Sequence, residues 1–370
     1  MKDYDIIIIG AGPAGIMAAK RISKDLSVLM LESGKDILHR KDLISGWFGH
    51  GLFSLDKIDI LDSSLKNQVA VRESFRIVKK ILNINPEISK IDGIPKSQYC
   101  LLPQDAGMKI ATYFSETLSK KVDIIYNLEI LSVVSEEDSF VVKSYNDAYK
   151  CKKCIIATGK NSFNFINNLC KTYNINSEQS YAKIGIRIEI PNLRDALKNY
   201  YKMQPKYGEK CEDIHIDSLV SEWEDSDIIS AQNRNTDTKS GKINFFIKIN
   251  DCTLQDAIRN IQIINVLAND KLKIERVADY MEGKSILQHL DIFNILHDIF
   301  RYMDSIIPSF IRRGLMYIPE IRFKGILPVD KNMKTEIRNL YGIGECTNKV
   351  HTTLGAMASG IIVSKTILKE

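Results

Sequence analysis

Residues 6–20, IIIIGAGPAGIMAAK, run four isoleucines into a glycine-rich turn and then into small helix-forming residues. Ile6 to Ile9 is short, apolar and β-branched, as a strand covered on both faces of a parallel sheet is expected to be. Gly10, Gly12 and Gly15 match the spacing G-x-G-x-x-G, a pattern that means little without its surroundings. Here the surroundings agree. Pro13 suits the first turn of a helix, where its missing N–H has no intrahelical partner, and Ala14, Ala18, Ala19 and Ile22 continue at helical spacing. A second apolar run, LSVLMLES, closes on Glu32, 22 residues beyond Gly10.

That order of strand, turn, helix, strand and acid is the fingerprint of a dinucleotide-binding unit. Gly10 is expected to make the tight turn, Gly12 to let the backbone approach a pyrophosphate, and Gly15 to let helix and strand pack closely. The helix N-terminus behind Pro13 offers free N–H groups, from Ala14 onward, to phosphate oxygens. Glu32, followed by Ser33, is expected to hold an adenosine ribose.

A chain of 370 residues has room for two domains, or for one with a long insertion. Lys and Arg number 51 against 46 Asp and Glu, and the pairs Lys79-Lys80, Lys120-Lys121 and Arg312-Arg313 are scattered, so a nucleic-acid partner is not expected. Seven cysteines at irregular spacing read as free thiols in a reducing compartment. Lys2, Asp3 and Asp5 precede the first apolar run, which is not a secretory signal, and no stretch reaches the roughly 18 apolar residues of a membrane span. A cytoplasmic protein is expected.

Further along, SGWFGHGLFSLDK at 45–57 packs glycines and aromatics into what reads as a loop, followed by a short amphipathic helix through Phe75 and Val78 that ends before Pro86. A helix is predicted from Ala106 to Leu118. VDIIYNLEILSVV and SFVVKSY then read as strands of a small antiparallel excursion, and KCIIATG returns to the central sheet. KIGIRIEI and KINFFIKI alternate strictly, as half-buried antiparallel strands do. A polar turn at 221–242 separates them, a single helix is predicted from Ile286 to Ile307, and NLYGIGEC leads into a small-residue terminal helix.

Taken together, the opening unit, IIATG and NLYGIGEC resemble the two-dinucleotide-binding-domain flavoproteins of the glutathione-reductase-like FAD fold. SGWFGHGLFSLDK, IGIRIEIPN and PEIR are similar to a little-characterised branch of FAD-dependent dehydrogenase-like proteins. The fold class so implied is α/β: a Rossmann-like FAD-binding domain with an inserted antiparallel-sheet plus helix substrate domain. The FAD-binding domain is expected at 1–45, 98–170 and 320–370, a glycine-rich flavin loop with helical cover at 46–97, and the inserted substrate domain at 175–319. The resemblance implies that Gly10, Gly12, Pro13, Ala14 and Gly15 line the FAD pyrophosphate and that Glu32 and Ser33 meet the ribose. It implies that Ile130, as a strand residue, meets adenine through its backbone. Thr158 and Gly159 would sit beside the dinucleotide, and Gly344 and Glu345 would reach the pyrophosphate and ribityl chain. Gly355, Ala356 and Met357 would open a helix aimed at the flavin. The loop departs from that branch at His50 and Leu55, where small residues are expected.

A flavin carries the redox chemistry, so the protein need supply only binding, orientation and electrostatics. His351, directly before the terminal helix, is the first candidate for proton exchange near flavin N5, against the alternative of a loop-capping histidine. His50 and Lys57 are candidates for positioning an acidic substrate. Cys151 and Cys154 form C-x-x-C, but three apart in a strand their side chains point to opposite faces, so neither a redox disulfide nor a metal site is expected. Residues 40–60 contain no cysteine, which removes disulfide-reductase chemistry, and no second G-x-G-x-x-G offers a nicotinamide dinucleotide a domain of its own. NAD(P)H is therefore at most a transient visitor. The expected activity is hydride exchange between a small organic substrate and FAD. A flavin monooxygenase using NAD(P)H, a non-catalytic binding protein on the same fold, and an RNA-modifying flavoprotein are the alternatives.

Overall fold

A computed structural model describes residues 3–40, 45–55, 57–60, 65, 67–86, 89–90, 98–103, 105–159, 162–176, 181–190, 214–217, 220–221, 230–231, 243–253, 259, 263, 273–289, 294, 296–306, 309–323 and 326–370. The chain divides into two compact units, Met1–Gln179 with Lys324–Glu370, and Ser180–Phe323.

In the first unit, β1 (Asp3–Ile9) leads through the turn to α1 (Pro13–Ile22) and β2 (Val28–Leu31). The short helix α2 (Gly51–Ser54), β3 (Lys57–Asp59), α3 (Gln68–Leu82), β4 (Ser89–Lys90), β5 (Gln98–Leu101) and α4 (Ala106–Leu118) follow. β6 (Asp123–Ile125), β7 (Ser132–Glu136), β8 (Ser139–Lys143), β9 (Ala148–Ile156) and α5 (Phe163–Thr172) lead to the boundary. The main sheet has the order β6-β2-β1-β9-β8-β7. β1 is parallel to both β2 and β9, whereas β7, β8 and β9 form an antiparallel meander. Ile6, Ile7 and Ile8 are fully buried at the centre, where each stabilises the sheet by about 1.5–3 kcal/mol.

The second unit holds an antiparallel sheet. Its strands are β10 (Tyr181–Ile190), β11 (Ile214–Asp217), β14 (Ile243–Thr253), β15 (Lys273–Arg276) and β16 (Leu315–Phe323), in the order β11-β14-β10-β16-β15. A two-stranded piece, β12 (Val220–Ser221) with β13 (Ser230–Ala231), is separate. α6 (Val277–Met281), α7 (Leu296–Ile306) and α8 (Phe310–Arg313) complete the unit, where Phe300 meets Tyr280 and Phe310. The chain then returns to the first unit. β17 (Leu340–Gly342) joins the main sheet parallel to β9, and α9 (Thr353–Ile367) packs on α1 and α3.

Several local expectations need correction. The single helix over Ile286–Ile307 is instead a 3₁₀ turn at Ile286–His289, a turn at Asn294, and α7; Ser285 Oγ takes the Leu287 N–H at 3.1 Å, competing with α-helical pairing. VDIIYNLEILSVV is two strands, because the chain leaves the sheet after Ile125 and Asn127 turns left-handed at φ 55. The 45–57 stretch is not all loop, since α2 and the start of β3 lie in it. Of the polar turn at 221–242, all but Ser221 and Ser230–Ala231 lies outside the described residues. Among the described residues, no helix is long and apolar enough to cross a membrane.

Candidate functional site

The predicted turn residues converge at the C-terminal ends of β1 and β9. Gly10 has φ 110, and a Cβ there would stand 2.4 Å from Ala157 O, so the turn is pressed against the exit of β9. A Cβ on Gly15 would stand 2.1 Å from Gly10 O. Both positions therefore exclude a side chain for reasons of backbone packing. Gly12 differs, because a Cβ there would meet nothing within 4 Å, and the same holds at Gly159, whose φ is 70. Two glycines with open space thus flank the place where the sheet order reverses, β1 crossing to β2 on one side and β9 lying on the other. In open α/β sheets this crevice is where ligands bind.

Glu32 is buried and its carboxylate is the hub of the neighbourhood. Oε2 accepts from the Ala11 N–H at 2.6 Å; Oε1 accepts from the N–H groups of Gly34 and Gly46, each at 2.9 Å, and from the Ser33 hydroxyl at 3.3 Å. The acid thus ties β2 to the turn and to the start of the 45–57 stretch. Tyr126 stands near it: burial, then the negative charges of Asp36 and Glu32, push its hydroxyl well above the usual phenol range. Its ring meets Trp47 edge-on at 6.2 Å.

From the other end of the chain, a Cβ on Gly344 would lie 3.0 Å from Ala14 Cβ, and the Gly344 N–H donates to Ser359 Oγ of α9 at 3.0 Å. Gly344 and the turn are therefore neighbours. Glu345 is half-buried in the short 3₁₀ turn Gly344–Cys346. Thr158 Oγ1 accepts from the Ser162 hydroxyl at 2.5 Å, and Ser162 also donates to Gly159 O at 2.9 Å.

Thr352 caps α9, its hydroxyl accepting from the Gly355 N–H at 2.9 Å, and its carbonyl accepts from Ala356 N–H at 2.8 Å. His351 is exposed immediately before it, so capping belongs to Thr352 and not to the histidine. Met357 is fully buried, so its side chain belongs to the core and only its backbone is available to line a ligand. Ile130 also needs correction: it lies in no strand but in the irregular segment before β7. His50 is exposed at the start of α2, beside Gly51, where a Cβ would lie 3.5 Å from Pro13 Cγ. The Lys57 backbone pairs with Leu101 in β3 and β5, but its side chain lies outside the described residues.

Cys151 and Cys154 are buried free thiols. The Cys151 thiol and burial together hold the Cys154 thiol well above the usual range, the opposite of what a reactive thiolate needs. β9 changes neighbours between them, from β8 at Cys151 to β17 at Cys154. Sequence reading missed Arg40, Trp47, Tyr126 and Ser359. Arg40 lies in a run of polar residues that reads as surface, and Ser359 hides in a row of small helix residues.

Residues 4–183 match the family model described as Pyridine nucleotide-disulphide oxidoreductase. The chain is similar in structure to glycine oxidase from Bacillus cereus ATCC 14579, with a TM-score of 0.51 and 13% identity over 99% of this chain and 95% of that one. It is similar also to glycine oxidase from Geobacillus kaustophilus, with a TM-score of 0.50 and 11% identity over 100% and 96%. The fold is that of the FAD-binding oxidoreductases. The chain spans 60% of the length of AlpK, to which it aligns over 98% of its own residues with 10% identity and a TM-score of 0.47.

Proposed function

We propose that this chain is an FAD-dependent oxidoreductase of the dehydrogenase or reductase kind, exchanging a hydride between a small organic substrate and the flavin. The observation that carries the reading is the pair of open glycines, Gly12 and Gly159, at the reversal of sheet order, with Glu32 buried beside them. The match to an oxidoreductase family model over the segment holding all three supports the broader part of the reading, an oxidoreductase.

The residues present fit FAD. The open approach at Gly12 admits a pyrophosphate to the start of α1, where backbone N–H groups and the helix dipole favour negative charge. A carboxylate offers about four lone-pair sites, and Glu32 Oε2 accepts one bond from Ala11, so that oxygen has capacity for a ribose hydroxyl. Gly344 and Glu345 stand on the α1 side of the crevice and are assigned to the pyrophosphate and ribityl chain. When bound, the flavin supplies hydride transfer. The capped start of α9 favours negative charge in front of its first turn, and the exposed His351 imidazole is assigned to hold or release a proton at the substrate. His50 and Lys57 are assigned to orienting an acidic substrate, and the inserted segment to substrate binding.

The test is anaerobic. Purified protein is expected to be yellow, to release FAD and not FMN, and to be reduced by one class of organic donor from a panel, with NADH and NADPH acting slowly or only at millimolar concentration. Failure to retain flavin would favour a non-catalytic binding protein, and fast saturable reduction by micromolar NAD(P)H would overturn the direct-substrate reading.

A further inference from the structure

Arg40 is buried, which for a guanidinium demands good hydrogen-bond geometry in return. Its Nη1 donates to the carbonyls of Trp47 and Gly49, both at 2.6 Å. Those two carbonyls bracket Phe48, which is fully buried and has φ 68, a left-handed conformation that a bulky residue rarely adopts. On the opposite side, the Phe48 N–H donates to Ala11 O at 2.8 Å, and Ala11 is the residue between Gly10 and Gly12 of the dinucleotide turn. The Gly46 N–H meets Glu32, and the Trp47 N–H meets Lys35 O at 3.0 Å. The strained peptide is thus held from behind by Arg40 and from the front by the turn. Such conformations persist only where the surroundings over-determine them.

We propose that Arg40 is a positioning residue for the cofactor site: by gripping the peptides on either side of Phe48 it presses residues 46–50 onto Ala11 and holds the dinucleotide turn in its binding geometry before the cofactor arrives. Preorganisation of this kind removes ordering cost from the binding step, so its loss appears in cofactor affinity. The inference rests on the FAD reading above.

The experiment titrates FAD into flavin-stripped full-length chain, comparing unmodified protein with Arg40→Met, Arg40→Lys and Val78→Ala, the last a fully buried α3 position that serves as a stability control. Melting temperature and the visible circular dichroism of bound flavin are recorded for each. Arg40→Met is expected to weaken FAD binding about tenfold or more and to alter the flavin dichroism. Arg40→Lys is expected to recover part of both, and Val78→Ala to lower the melting temperature with affinity within about twofold. Equal FAD affinity in Arg40→Met and unmodified protein, or a loss no larger than that of Val78→Ala, overturns the proposal. If Arg40→Met does not fold, Arg40→Lys decides: affinity and dichroism equal to unmodified protein overturn it. An unmodified chain that binds no FAD instead removes the cofactor reading on which the proposal stands, an outcome visible before any variant is compared.

Discussion

Glu32 binds together three segments that are separate in sequence, the turn at Ala11, the residues after β2, and Gly46. Replacing it by Ala removes the acceptor for three backbone N–H groups as well as the proposed ribose contact. Glu32→Ala is therefore expected to weaken FAD retention by about 1.5–3 kcal/mol, the scale of one lost charge-assisted hydrogen bond, or more where the loop loosens as well. Equilibrium dialysis measures this, and unchanged affinity would count against the ribose assignment. His351 stands in contrast, exposed and relieved of capping by Thr352. His351→Gln is expected to keep the fold, the melting temperature and bound FAD, while slowing flavin reduction by about a hundredfold, the usual effect of losing a positioned acid or base. Stopped-flow reduction with the native substrate checks it. A normal rate with an unchanged pH profile eliminates the catalytic role.

Among the elements, α1 and α9 approach each other backbone to backbone. A Cβ on Gly360 would stand 2.4 Å from Ala14 O and 2.9 Å from Ala18 N, backbone atoms that cannot turn aside. Gly360→Ala is thus expected to push the helices apart, costing about 1–3 kcal/mol despite the better helix propensity of Ala, with a fall in melting temperature as the readout. A melting temperature at or above that of unmodified protein would show the contact to be looser. The unit β1-α1-β2 was legible because composition, turn residues and spacing agree there, each apolar position falling at the period of its element. The alternation of β10 and β14 was legible for the same reason, and they pair in register from Ile190 with Ile243 to Tyr181 with Thr253, with one irregularity at Ile184/Gly185. Between Ile125 and Ser132 it failed, since an apolar run does not reveal that the Leu128 N–H goes to Glu32 O and the Asn127 N–H to Gly34 O, which draws the chain off the sheet. The grip of Arg40 on Phe48 was equally hidden. The two carbonyls it grips belong to the backbone, which no residue type in the sequence announces.

Across the whole molecule, the last residue described anchors the return of the chain to the main sheet. Glu370 receives Lys153, Lys334 at 2.5 Å and the Tyr341 hydroxyl at 2.6 Å. Partial burial raises its carboxyl, but the hydrogen bonds from Lys153, Lys334 and Tyr341 outweigh that and hold it at about 2, below the ordinary 4.5. The folded-state value is depressed, so the stabilisation is present above about pH 4.5 and is lost as pH falls toward 2. Glu370→Gln is expected to lower the melting temperature at neutral pH by a modest amount, because the cluster is partly solvated, and the gap from unmodified protein should close on acidification through that window. A gap independent of pH would rule out the charge cluster as its source.

The placement of β17 against β9 bears on biogenesis. β17 and α9 leave the ribosome only after all of Ser180–Phe323, whereas β9 precedes that unit. Throughout this interval the nascent chain carries an open sheet edge along Cys154–Ile156 and an α1 surface that α9 has yet to cover. Neither Gly344 nor the start of α9 exists until then, so the proposed cofactor site is complete only once both have been made. The vulnerable period for this protein is the synthesis of its middle, when chaperone protection of the unfinished sheet matters most.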